Sequence, residues 1–466
     1  MTFRSIQLWT TIVVLVLAPL FFGSVDLFWV VVWTILLSLS AMCGVAGPIS
    51  TAQSRILSGF LALCGIYALI AIIQIIPNAV ERLNDPAWAR VNQLLALNAL
   101  PRISSRAEIP SIAVGHFLLF MTSFLSGFLI GTSRRSSDKL IRFAQYSILL
   151  YVIYGVAALI LTPNMVLWAP KLAYRGSLTA TFINHNTAAT FVGVGTILWF
   201  CFAFSSLQSA QFSSIRLLLL IRSNEQLAFK IIAQAGGALL CFFALLLTRS
   251  RGGLICSCLG LIVATILMAA NKQKPRVWHI AVLGSVALAA TVALLSQMGR
   301  IGSQGLFDEA RWTVYGYCVE AIRQRPILGA GAGTFADLFP SLRGDNFYSW
   351  GVWDYAHSTI LEIAVEMGLP MAALASVAAL ASVFILARAA FKSEGRNRGS
   401  LAAITGIATL SYLHSIIDFS LQIPGYLIVF GILLGCGLAR ASSSQTADVT
   451  ARSRGALDSK STADIV

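Results

Sequence analysis

Twelve apolar runs constrain this chain more than any other feature. A stretch of about 20 apolar residues spans the roughly 30 Å hydrocarbon layer of a bilayer as a helix. Such runs lie near 6–23, 27–46, 56–77, 110–131, 142–162, 184–205, 229–248, 252–270, 277–297, 357–390, 400–418 and 424–440. Their length excludes a membrane β-barrel, whose strands are short and alternate. Hydrophobic residues make up 57% of the chain and charged residues only 11%, which excludes a water-soluble domain. The expected fold is all-α and polytopic, with about twelve transmembrane helices and one membrane domain over 1–440. Met1–Gly23 has an early Arg4 and an apolar run but no small-residue cleavage site, so it reads as a retained first helix.

The formal charge of +14 is spread over the loops between spans and reflects topology, not nucleic-acid binding. The basic loops Arg134–Lys139, Asn271–Arg276 and Lys392–Arg398 all fall on one side, which the positive-inside rule makes cytoplasmic. Both termini are then cytoplasmic, and the Ser/Thr/Ala-rich tail 441–466 is expected to be disordered. The other side carries loops 78–109, 163–183 and 298–356. Pro86–Asn92 reads as a short interfacial helix. In the largest loop, Glu309–Arg325 has helical periodicity, with Trp312, Tyr315, Val319 and Ile322 on one side. Seven of the eight cysteines fall inside spans as small hydrophobes, and the spacing supports neither a disulfide framework nor a metal site. No Asp-x-Asp, zinc-ligand or phosphate-loop motif points to a metal or cofactor.

The outward loops keep Arg82, Arg90, Arg102, Arg106, Arg175, Arg249, Arg251, Arg300, Arg311, Arg323, Arg325 and Arg343 but only Lys171. Guanidinium matches phosphate bidentately where ammonium is a point charge, so this bias suggests an anionic ligand. In Thr248-Arg-Ser-Arg-Gly-Gly253 a tight turn sets Arg249 and Arg251 at the membrane surface, and Gly252 and Gly253 open the next helix. A glycine-started helix N-terminus favours close approach of a phosphate. Arg175 lies just before the sixth span, in a segment that runs to Asn184-His185-Asn186.

One further segment, Asp354 to Glu366, takes a polar and aromatic loop into a span. His357 at the junction suits general-base chemistry near neutral pH. His185 sits at the same face, whereas His116, His279 and His414 read as hydrogen-bonded packing residues. Glu362 and Glu366 share a helix face as structural partners, and Glu366 is expected to pair with an arginine from another helix.

Three pieces together resemble the O-antigen ligase and polymerase superfamily of integral-membrane glycosyltransferases. They are Ser250-Arg-Gly-Gly253 opening a span, Arg311 followed by Pro326–Phe335, and His357-Ser-x-x-Leu-x-x-x-x-Glu366-x-Gly368. Ser358 departs from the pattern, since many members carry asparagine there. The resemblance implies a GT-C-like fold and inner-membrane location, with the active face periplasmic. It implies an undecaprenyl-diphosphate-linked glycan donor and, as acceptor, lipid A–core for a ligase or a lipid-linked repeat unit for a polymerase. Transfer would invert the anomeric centre, without metal or other cofactor. His357 would be catalytic; Arg175, Arg249, Arg251, Arg311, His185, Gly252 and Gly253 would bind substrate; Glu362, Glu366 and Asp354 would support them. A secondary transporter of a small anion or solute is the alternative, with a scaffold protein third. No internal repeat favours transport.

Overall fold

The computed structural model describes residues 2–209, 225–270, 309–344 and 353–463. They are almost wholly helical: α1 Phe3–Leu17, α2 Leu27–Gly44, α3 Thr51–Ile75, α4 Ala87–Leu95, α5 Ser111–Gly131, α6 Arg134–Leu161, α7 His185–Ser209 and α8 Glu225–Leu247. Then come α9 Arg251–Ala269, α10 Glu309–Gln324, α11 Phe335–Leu342, α12 Thr359–Met367, α13 Leu369–Lys392, α14 Gly395–Ser415 and α15 Pro424–Ala463. One two-residue hairpin pairs Met165–Val166 with Ala169–Pro170.

Among the described residues nine helices are long and apolar enough to cross a membrane. Two expected spans take other forms. α1 has only 15 residues, and α14 is less apolar and buried along most of its length. The span expected at 277–297, with His279, Arg300 and Asn271–Arg276, lies outside the described residues.

One expectation is corrected by the helix boundaries. The run 357–390 is not one helix: Gly368, at φ +83°, separates α12 from α13. At 1.5 Å per residue the 9-residue α12 covers only about 13 Å, so α13 alone spans. The last helix is assigned to Ala463.

The core forms around α15, whose membrane portion is entirely buried. Glycine allows α15 to lie directly on α5. A β-carbon at Gly127 would strike the Ile432 backbone, and one at Gly435 would strike Phe124. Lipid tails are as apolar as leucine, so close backbone packing of this kind holds membrane helices together. At one end of the bundle, buried Arg440 bridges Asp138 at 2.6 Å and Asn397 at 2.6 Å. The basic loops at 134–139 and 392–398 are thereby brought to the same end, as the sequence pattern requires.

Candidate functional site

The opposite end of the bundle gathers the starts of α7, α9 and α12, the end of α14 and the cap helices α10 and α11. Its centre is a residue the sequence reading overlooked, Asp418, in the turn after α14. Its side chain is fully buried. Asn186 Nδ2 donates to Asp418 Oδ2 at 2.7 Å, Ser420 Oγ to Oδ1 at 3.3 Å, and Arg311 Nη2 to Oδ2 at 3.4 Å. His357 Nδ1 faces Oδ2 at 3.9 Å, beyond hydrogen-bond length, so that pull is electrostatic. Burial would raise the Asp418 pKa. The facing His357, His414 and the Arg311 guanidinium outweigh it and hold the carboxyl at about 2. An unpaired buried carboxylate would be costly, and here four donors and cations surround it.

His357 is positioned from several sides. It precedes the helix it was expected to begin: Ser358 is the N-cap of α12, its Oγ accepting from Leu361 N at 3.4 Å. Ser358 is buried and fills a capping role that asparagine also performs. His357 itself adopts φ +54°, a left-handed conformation that costs a non-glycine residue about 1 kcal/mol or more. Tyr315 Oη donates to His357 O at 2.9 Å, and Glu362 Oε2 accepts from Ala356 N at 2.8 Å. The ring lies edge-on to Trp353 at 4.9 Å and Phe419 at 4.8 Å. With 18% of its side chain exposed, it can still meet a ligand. Asp354 is exposed in the approach to this site.

The two glutamates lie behind the histidine. Glu362 also accepts from Gln422 Nε2 at 2.6 Å, and burial pushes its pKa well above the usual range. Among the described residues Glu366 pairs with no arginine, where an arginine partner was expected. Its carboxylate accepts from Gly333 N at 2.9 Å and Phe335 N at 3.0 Å, so backbone amides supply the partners. Burial raises its pKa to about 7 against the lowering effect of those amides. The glycine motif 329–333 is thus folded onto α12. A β-carbon on Gly368 would strike Ile327 O, and one on Gly329 would strike the Glu366 carbonyl.

The arginine turn joins the same network. Ser250 caps α9, accepting from Gly253 N at 3.1 Å, and its hydroxyl donates to Asn186 Oδ1 at 2.7 Å. A chain of contacts therefore runs His357, Asp418, Asn186, Ser250 and the first turn of α9. The Gly253 amide is taken by this cap, and both glycines also serve packing. A β-carbon on Gly252 would meet Ile417, and one on Gly253 would meet Ala189. Arg249 is exposed at φ +60° and lies beside Gly176. His185 Nδ1 shares a hydrogen bond with Thr248 O at 2.9 Å, and Tyr174 stacks on its ring at 4.0 Å. Arg175, next to Tyr174, is exposed, with its Nε donating to Lys171 O at 3.2 Å. Leu178 N donates to Leu247 O at 2.9 Å and pins this loop to the arginine turn. Arg311 differs from the expectation of a phosphate ligand alone: it also holds Ile417 O at 2.8 Å and Asp418.

Several outward arginines serve the chain itself. Arg325 pairs with buried Asp85 at 3.0 Å, Arg106 with Asp337 at 2.8 Å, and Arg102 Nε donates to Ile75 O at 3.0 Å. The preference for arginine over lysine thus partly reflects multi-donor clamps on the cap loops. The lone Lys171 is buried, donating to Ser177 O at 2.8 Å, and burial lowers its pKa. The inward face of α10 shares only Ile322, and in part Tyr315, with the apolar side read from the sequence. Val314, Cys318, Ala321 and Ile322 are buried, while Trp312 is 58% exposed and Val319 is exposed. His414, read as a packing residue, shares a hydrogen bond with Thr190 Oγ1 at 2.8 Å and underlies Asp418.

Residues 236–376 match the family described as O-antigen ligase. That segment contains the arginine turn, Arg311, the glycine motif and His357. No curated protein matches the chain.

Proposed function

We propose that this chain, whose residues 236–376 match the O-antigen ligase family, moves a glycan from an undecaprenyl-diphosphate carrier to a hydroxyl acceptor. The acceptor is lipid A–core in a ligase or a lipid-linked repeat unit in a polymerase. The reaction takes place at the end of the bundle that holds His357, the periplasmic end if the basic loops are cytoplasmic. The observation that carries this reading is the His357–Asp418 pair, connected through Asn186 and Ser250 to the arginine turn.

The chemistry follows from those positions. Nδ1 of His357 faces a buried carboxylate, which leaves Nε2 to accept the proton of the acceptor hydroxyl. As that oxygen bonds to the anomeric carbon from one face, the carbon–oxygen bond to the diphosphate breaks on the other, inverting the centre. Asp418 steadies the imidazolium that forms, a role of the kind a buried aspartate plays beside other catalytic histidines. The electron pair departs with the diphosphate, whose charge Arg175, Arg249 and Arg251 meet, with His185 beside them and Arg311 holding Asp418. Diphosphate leaves as an anion, so the scheme calls on neither a general acid nor a metal. The apolar helix faces accept the polyprenyl chain.

Incubating the purified chain with a lipid-diphosphate glycan and each acceptor in turn tests this reading. Glycan attached to lipid A–core identifies a ligase, and lengthened lipid-linked glycan a polymerase. Failure with both, in a preparation shown to be folded, contradicts the proposal.

A further inference from the structure

We propose that the bundle end opposite His357 carries a binding site for a phosphate group, of the kind an anionic lipid headgroup presents. α6 begins there: it has 28 residues, and its far end leads into the loop beside the arginine turn. The site is a notch, open on one side, between the starts of α1 and α6 and the ends of α2 and α5. Arg4, Gln7, Gly44, Thr132, Ser133 and Ser136 are among its lining residues.

Three features of this notch favour an anion. It lies at the N-terminus of a long helix, capped by Ser133, where the helix dipole presents partial positive charge. Arg4 contributes a full positive charge, and no acidic residue is among the lining side chains. Independently, Gln7 is only 4% exposed, yet its Nε2 has no hydrogen-bond partner among the described residues. A buried amide donor without an acceptor is unusual and needs explaining. A phosphate oxygen in the notch would supply that acceptor, with the Ser133 and Ser136 hydroxyls and Arg4 around it. The floor has room for one water-sized group, so a single oxygen enters while the rest of the phosphate stays in the mouth.

The surroundings favour a lipid as the source. Phe3, Met42 and Val45, on the segments that frame the notch, are large exposed apolar side chains suited to acyl chains. Basic side chains at this depth attract anionic headgroups. Gly44 makes room for the arrangement, because a β-carbon there would displace the Gln7 amide.

The test titrates the purified full-length chain in detergent with phosphatidylglycerol, with diacylglycerol of the same acyl chains, and with inorganic phosphate, following thermal stability and bound lipid by native mass spectrometry. Phosphatidylglycerol is expected to bind and stabilise, and diacylglycerol is not. Arg4→Gln and Gln7→Leu are each expected to weaken phosphatidylglycerol binding about fivefold or more, the effect of losing one good hydrogen bond or charge. Arg55→Gln, an exposed arginine on α3 outside the notch, is expected to leave it unchanged. Stabilisation by inorganic phosphate alone, lost in the same variants, would keep the site and make a free anion its occupant. Should Gln7→Leu fail to fold, Arg4→Gln and Ser136→Ala carry the comparison. Equal binding by diacylglycerol, unchanged affinity in the notch variants, or occupation by water only would overturn the proposal.

Discussion

At the residue scale the account rests on Asp418 as the partner of His357. Asp418→Asn keeps the shape but removes the charge facing the imidazole, so transfer should fall by about 10²-fold or more, in line with typical general-base contributions. Protein level in the membrane should remain near wild type, because asparagine can still accept from Asn186. Transfer at an unchanged rate would remove Asp418 from the mechanism. Its titration makes a second prediction. The folded pKa, about 2, lies below the usual 3.8, so the stability it lends is fully present above pH 4 and is lost as pH falls through 2. The loss amounts to roughly 2 kcal/mol, and acid melts should show it in the wild type but not in Asp418→Asn. His357 was legible in the sequence because a histidine stood at the mouth of an apolar run after a polar loop. Asp418 was not, because it sits among Ile416, Ile417 and Phe419 with no local motif, and its role depends on partners 107 and 232 residues away.

At the element scale, caps and close approaches place the site. Ser250 closes α9 and also orients Asn186, so Ser250→Ala removes a cap and leaves a buried amide oxygen short of its donor. The cap alone is worth about 1 kcal/mol, and the lost hydrogen bond adds about as much. A lower thermal midpoint together with weaker donor binding is expected, and an unchanged midpoint would show that the cap matters little. Gly368 forms the other junction. Gly368→Ala sets a β-carbon against Ile327 O at φ +83°, and a destabilisation of about 1–3 kcal/mol should appear in detergent melts. The order of apolar runs was readable from the sequence, as were the glycine motif and Ser250-Arg-Gly-Gly253. What period and spacing could not show was that Glu366 is held by backbone amides. Nor could they show that α10 buries Val314, Cys318, Ala321 and Ile322 while Trp312 stays outside, since tertiary partners decide which face is inside.

At the scale of the whole molecule the two ends differ in chemistry. One is stapled by Arg440, Asp138 and Asn397, and the other holds His357, Asp418 and the arginine turn. Seven of the native cysteines are buried, so labelling of introduced cysteines has a low background. Arg343→Cys should react with an impermeant maleimide from the periplasmic side and Lys392→Cys only after the membrane is opened; the reverse pattern would place the site on the cytoplasmic side. The central claim is that His357 takes the acceptor's proton while the arginine loops hold the donor. The most direct measurement follows single-turnover transfer and donor binding together, in wild type and His357→Ala, with one lipid-diphosphate glycan and its acceptor. The account predicts that His357→Ala binds the donor about as tightly as wild type and transfers nothing measurable. Transfer by His357→Ala at the wild-type rate would contradict it.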